Sequence, residues 1–346
     1  MIDRRNFARV LSFATAAATV ATTRAATTAS RRVIKPKRLS AGDTVGLVLP
    51  ASAAFEHDDV QIAKEQMELL GFKVVIGAHA LDRHGYFAGK DRDRADDLNR
   101  MFADDRIAGI VCYTGGWGSP RVLPYLDYDL IARKPKVLIG YSDITALLNA
   151  IFQRTGLVTF HGPVGSSTFD AYTIDNFRKV LMTPEPAGLL APPAKKATDL
   201  IDKTNRILRL SGGKASGRLA GGNLTMLASL MGTPYEIDTN GAILFLEDIR
   251  EDLYRVDRML TQLALGGKFD AMAGLAFGRC TDCGYKGPSF SLEDILRDRF
   301  GSLRKPALSG LSFGHIEQKL TLPVGVLATL DGDAGTLTVE ESAVTA

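Results

Sequence analysis

Ser142 lies where an apolar run, Val137-Leu138-Ile139, gives way to Ile144, Leu147, Leu148 and Ile151 at helical spacing. The first pattern predicts a strand buried on both faces and the second an amphipathic helix, so the serine falls on the joint. A hydroxyl lifted out of a sheet on such a turn has the free N–H groups of a new helix beside it, which suits a nucleophile and its oxyanion. The same spacing also suits a helix N-cap, since Ser before Asp and an apolar stripe is a common helix start. GYSDI stands here where a G-x-S-x-G elbow would.

A serine hydroxyl is a weak nucleophile at neutral pH and needs a base, itself oriented by a carboxylate. The chain has five histidines. His57 opens a polar helix, while His79 and His84 fall in the charged stretch HALDRHGYFAGKDRDR, where solvated roles are expected. His161, at a strand end in VTFHGPV, and His315, after a glycine in SGLSFGHIE, are the two open choices. Glu247 and Asp248 close the apolar strand AILFLED, and because strand neighbours point to opposite faces, at most one of them faces the site. Their alternative uses are a helix cap or an ion pair with Arg250.

Cys280 and Cys283 form a C-x-x-C pair, but no second pair completes a zinc site, and the expectation is two small residues in a buried turn rather than a bridge. Cys112, within IAGIVCYT, is expected in the core. No metal or other cofactor is implied.

The elements that must hold these residues follow from the pattern of the whole chain. With 45% hydrophobic residues and a formal charge of +3, it has a globular composition, and no basic stripe interleaved with aromatics suggests a nucleic-acid partner. Residues 1–31 read as an export signal: Arg4, Arg5 and Arg9 precede the short apolar run LSFATAAATVA. The paired arginines and Phe7 resemble a twin-arginine signal, with Asp3 and Ala8 departing from its pattern. Cleavage after Ala25, Ala26 or Ala29 would leave an exported, periplasmic protein without stable membrane insertion.

Residues 32–182 alternate strand and helix signals, which predicts an α/β domain with a parallel sheet whose ligands gather at the C-terminal strand ends. Ser142 and the loop TGGWGS at Thr114–Ser119 both lie at such ends. The proline-dense stretch 183–205 reads as a linker, and 206–346 as a second, mixed α/β domain with strands at RILRL, AILFLEDI, MAGLAFGRC and KLTLPVGVLATL.

GGWGSPRVLPYLDYDLIARKPKVLIGYSDITALL, HGPV, GGNLTML, LEDIREDLYRVDRML, FGRCTDC and FGHIEQKLTLPVG resemble, in order, the blocks of the LD-carboxypeptidase family of serine peptidases. The resemblance runs from about Pro36 to the C-terminus. It implies a flavodoxin-like or class I glutamine-amidotransferase-like first domain and a catalytic triad of Ser142, His315 and Glu247. It also implies an oxyanion hole from the N–H groups of Gly116 and Asp143, with Gly115 letting the backbone approach the substrate. His161 becomes a wall of the pocket, as does Trp117, which stands where the family often has tyrosine. Thr114 replaces an arginine of many relatives, and Arg121, Arg279 and Lys214 are candidates to supply the missing cation for a terminal carboxylate. The implied substrate is a murein tetrapeptide losing its terminal D-alanine, and the implied assembly a homodimer. Hydrolysis of aminoacyl-nucleotide amides, as in the microcin-immunity branch, is the alternative activity.

Overall fold

The computed structural model describes residues 32–346 apart from 196, 198, 199 and 286, and the side chain of His57; the export signal expected over 1–31 lies outside the described residues. Two sheets organise the chain from Val33 onward. Their strands are β1 (Thr44–Val48), β2 (Lys73–Ile76), β3 (Ile107–Cys112), β4 (Val137–Gly140), β5 (Thr159–His161), β6 (Gly188–Leu189) and β7 (Leu208–Ser211). There follow β8 (Lys214–Asn223), β9 (Ile243–Ile249), β10 (Gly274–Thr281), β11 (Ala307–Ser309), β12 (Leu322–Val324), β13 (Leu327–Asp331) and β14 (Thr336–Val339).

The first sheet has the order β12-β5-β4-β3-β1-β2 and is parallel except for β12 at its edge. Its crossovers use helices α1 (His57–Leu69), α2 (Asp91–Ala103) and α3 (Thr145–Thr155), as the alternating signals predict. Helix α4 (Ala171–Leu181) follows β5, and its N-cap Asp170 accepts from Thr173 N. The second sheet, β6-β14-β13-β8-β9-β10-β11-β7, is mixed, with β8, β9, β10 and β11 parallel at its centre. Helices α5 (Leu253–Leu265) and α6 (Leu292–Phe300) cover one side of it.

Two differences from the sequence reading matter for the site. KLTLPVGVLATL is two strands: Gly325, at φ +91°, turns the chain so that β12 pairs with β5 in the first sheet and β13 with β8 in the second. The ten-residue β8 is not legible in KASGRLAGGN, because its small, glycine-rich composition lacks the β-branched signal of a strand.

One apolar core runs between the sheets, joining Leu47, Ile139 and Leu322 to Leu219, Phe245 and Phe313. A second lies on the far face of the second sheet around Leu244, Leu246, Val256 and Phe277. Along β9, therefore, Phe245 faces the first sheet while Leu244 and Leu246 face away. Among the described residues no helix is long and apolar enough to cross a membrane.

Candidate active site

The chain leaves β4 at Gly140, passes through extended Tyr141, and turns sharply at Ser142, whose φ of +65° is left-handed. A single 3-10 turn over Ser142–Ile144 then leads into α3. A non-glycine residue at positive φ stores strain that the surrounding structure must hold, and here it pushes the serine side chain out of the strand-to-helix joint. Asp143 is buried and turned toward the next loop: its carboxylate accepts from Ser119 N at 2.7 Å, and its carbonyl accepts from Ser119 Oγ. Burial pushes the Asp143 carboxyl above the ordinary aspartate value despite those bonds.

The glycine loop after β3 lies directly against the serine. A Cβ on Gly115 would stand 2.7 Å from Ser142 Cβ and 3.2 Å from Asp143 N. Gly116 has φ +98°, and the loop is tied down by Ser52, whose Oγ accepts from Trp117 N at 3.0 Å while its N donates to Gly115 O at 3.3 Å. Ser52 was not singled out from the sequence; its signal is a small hydroxyl just past the end of β1, where loops of a parallel sheet converge.

His315 and Glu247 reach the serine from the second sheet. Because Glu247 follows Phe245 by two along β9, it shares the face directed at the first sheet. Asp248 points the other way, accepting from Asn223 Nδ2, Thr225 N, Thr225 Oγ1 and Ile249 N, and burial raises its carboxyl. Glu247 Oε2 lies 2.7 Å from His315 Nδ1, and His315 Nε2 lies 2.9 Å from Ser142 Oγ. The carboxylate can only accept, so the imidazole carries its proton on Nδ1 and offers Nε2 to the serine hydroxyl. Glu247 is fully buried, and among the described residues its Oε1 has no partner.

Among the described side chains, the other histidines do not join this chain of bonds. His161, expected as a pocket wall, is 1% exposed, with neither ring nitrogen partnered among the described residues, and packs edge-on against Tyr141, Phe245 and Phe313. Its place in β5 puts it in the core between the sheets, out of reach of a ligand, and burial drives its pKa down to about 3. His79 bonds Asp82 at 2.8 Å, which raises its pKa, and His84 is exposed.

A cavity of about 710 Å³ opens beside His315, lined also by Asn205, Arg279, Thr281 and Gln318. Arg279 is half-buried, and its Nη2, like Thr281 Oγ1, is buried with no partner among the described residues. Of the three cations considered for a carboxylate, only Arg279 lines this cavity. Arg121 pairs with Asp91 over the Phe87 ring, and Lys214 sits 3.6 Å from Asp331. Trp117 does not line this cavity; it is 61% exposed and stands edge-on to Tyr86.

Cys280, on the cavity wall, is bonded to Cys283, which corrects the expectation of an unbridged pair. Asp282, at φ +54°, makes a turn tight enough to bring the Cα atoms to 5.4 Å, within the range a disulfide spans. Cys112 is buried in β3, and burial pushes its thiol far up.

Comparison with known proteins adds an independent line. The model of the LD-carboxypeptidase N-terminal domain matches residues 45–162, and that of the LD-carboxypeptidase C-terminal domain residues 216–330. The chain is 39% identical over 312 residues to the "Probable murein peptide carboxypeptidase" of Bacillus subtilis, covering 88% of this chain and 94% of the relative. It is 35% identical over 295 residues to the murein tetrapeptide carboxypeptidase of Pseudomonas aeruginosa, covering 84% and 93%. The solved structure of the microcin C7 self-immunity protein MccF in complex with aspartyl sulfamoyl adenosine superposes with a TM-score of 0.79 at 28% identity, covering 90% of this chain and 100% of that one. With both family domains matched in order and relatives aligned over most of their length, the chain belongs to the LD-carboxypeptidase family of serine peptidases.

Proposed function

We propose that this enzyme removes the terminal D-alanine from peptidoglycan tetrapeptides, cleaving the amide between the L-centre of the diamino acid and D-alanine through an acyl-enzyme. The observation that carries the reading is the unbroken line Glu247–His315–Ser142 at 2.7 and 2.9 Å. Ser142 Oγ attacks the scissile carbonyl carbon as His315 Nε2 takes its proton, while Glu247 holds the imidazole orientation and stabilises the imidazolium. The N–H groups of Asp143 and Gly116 receive the oxyanion. His315 then protonates the leaving amine, D-alanine departs, and water repeats the sequence to free the tripeptide. The unpartnered donors Arg279 Nη2 and Thr281 Oγ1 bind the carboxylate of the substrate.

The murein carboxypeptidases among the relatives support this substrate. The likeness to MccF supports a second reading, hydrolysis of an aminoacyl-nucleotide amide. The proposal includes export by the twin-arginine route to the periplasm, where murein lies, and a homodimeric assembly. The test is mass spectrometry of the purified protein incubated with a disaccharide tetrapeptide, beside Ser142→Ala. Loss of one alanine with the wild type alone is expected. An unchanged tetrapeptide together with cleavage of an aminoacyl-sulfamoyl adenosine would establish the second reading instead.

A further inference from the structure

Lys319 lies four residues past His315 and is 4% exposed, yet among the described residues no carboxylate is within ion-pair distance of its ammonium. Its Nζ stands over the ring of Tyr141, 4.5 Å from the centroid, and 3.4 Å from the phenolic oxygen. Tyr141 immediately precedes Ser142 and meets the His315 ring edge-to-face, with centroids 4.9 Å apart. The ammonium thus presses on a ring that also meets the imidazole of the triad and, with centroids 6.1 Å apart, the buried ring of His161. The backbone of Lys319 is itself fixed, its N donating to Thr173 Oγ1 on α4 at 3.1 Å.

An apolar side chain would fill this place at less cost, because a buried ammonium without a paired anion is expensive. The charges around it are more distant: Glu247 from β9, Asp170 at the N-cap of α4 and Glu317 on its own loop, with the imidazole of His161 also near it. Burial lowers its pKa from 10.5 to about 8, so it remains mostly charged at neutral pH. What the charge gains locally is the face of the Tyr141 ring, an attraction that strengthens where water is excluded.

We propose that Lys319 is a positioning residue for the reaction: its ammonium clamps the Tyr141 ring, and the ring holds the His315 imidazole in the rotation that joins Glu247 to Ser142. The inference rests on the serine-hydrolase reading of the triad but not on the identity of the peptide.

The test is Lys319→Met in the full chain, with kcat and KM on the tetrapeptide, the labelling rate of Ser142 by a fluorophosphonate, and the urea midpoint at pH 7. A misheld base predicts kcat lower by about ten- to a hundredfold with KM within about twofold, and slower labelling to match. The urea midpoint should not fall. Tyr141→Leu should reproduce the loss, and the double variant should be little worse than either single one, because both remove the same clamp. Wild-type kcat and labelling in folded Lys319→Met, losses that multiply in the double variant, or a lowered urea midpoint would each overturn the proposal. The labelling rate requires no peptide recognition, so a wild type that labels rapidly but leaves tetrapeptide intact counts against the substrate reading alone.

Discussion

Gly115 and Ser142 are packed so closely that a Cβ on the glycine would stand 2.7 Å from the serine Cβ and 3.0 Å from its Oγ. Ser142 is held from one side by a residue that can carry no side chain. Gly115→Ala must displace either the loop or the serine, and a shift of that size at a reacting atom costs on the order of a hundredfold in rate. We expect kcat/KM to fall by about that factor while the urea midpoint moves little, as measured by tetrapeptide hydrolysis and chemical denaturation.

Glu247 accepts from His315 Nδ1 through a single oxygen and is fully buried. Glu247→Gln keeps the shape but can present an N–H to the imidazole and favour the wrong tautomer, which in a triad costs about four orders of magnitude in kcat. Steady-state kinetics should show the loss in kcat with KM nearly kept. An equal effect from Asp248→Asn would count against the assignment, since that carboxylate is engaged on the opposite face by Asn223 and Thr225.

Arg279 Nη2 is buried on the wall of the cavity beside His315 with no partner among the described residues. If it receives a substrate carboxylate, Arg279→Gln should raise KM by roughly ten- to a hundredfold, the worth of a charge-assisted bond. Arg121→Gln and Lys214→Gln should leave KM within about twofold, because both side chains are committed to surface acids.

Lys319 and His161 write signatures of the same sign, in different windows, into the pH dependence of stability. The His161 pKa is lowered to about 3 in the fold, so between roughly pH 6.5 and pH 3 the unfolded chain takes up a proton that the folded chain refuses. Stability is therefore lost as pH falls through that window, by on the order of 1.4 kcal/mol per pH unit, and His161→Leu should flatten the acid limb of the urea midpoint. For Lys319, lowered from 10.5 to about 8, the unfolded chain holds the extra proton between those values, so stability rises with pH across them. The charged form below pH 8 costs roughly 3 kcal/mol, and Lys319→Met should be the more stable protein at pH 7, with the gap closing toward pH 10.5.

The Cys280–Cys283 bond leaves Cys112, buried in β3, as the free thiol of a chain with three cysteines. Thiol titration of the native protein should find none reactive, denatured protein without reductant one, and denatured, reduced protein three.

The local grammar of the chain was enough for the frame around the site. The run into Ser142 and the stripe after it are contiguous in sequence, so their periodicities report strand, joint and helix directly, and alternation over residues 32–182 yields the parallel sheet. Resemblance to a peptidase family then separated His315 from His161 and Glu247 from Asp248, which spacing alone left open. Other features belong to the tertiary structure. His315 meets Glu247 across 68 residues and Ser142 across 173, and nothing in the segment around Lys319 signals that its ammonium ends on the ring preceding Ser142. The same holds for the bridge across the Asp282 turn, the strand hidden in KASGRLAGGN, and the break at Gly325 that sends β12 and β13 to different sheets. Each is fixed by what packs against it from a distant part of the chain, and a local window contains no such neighbour.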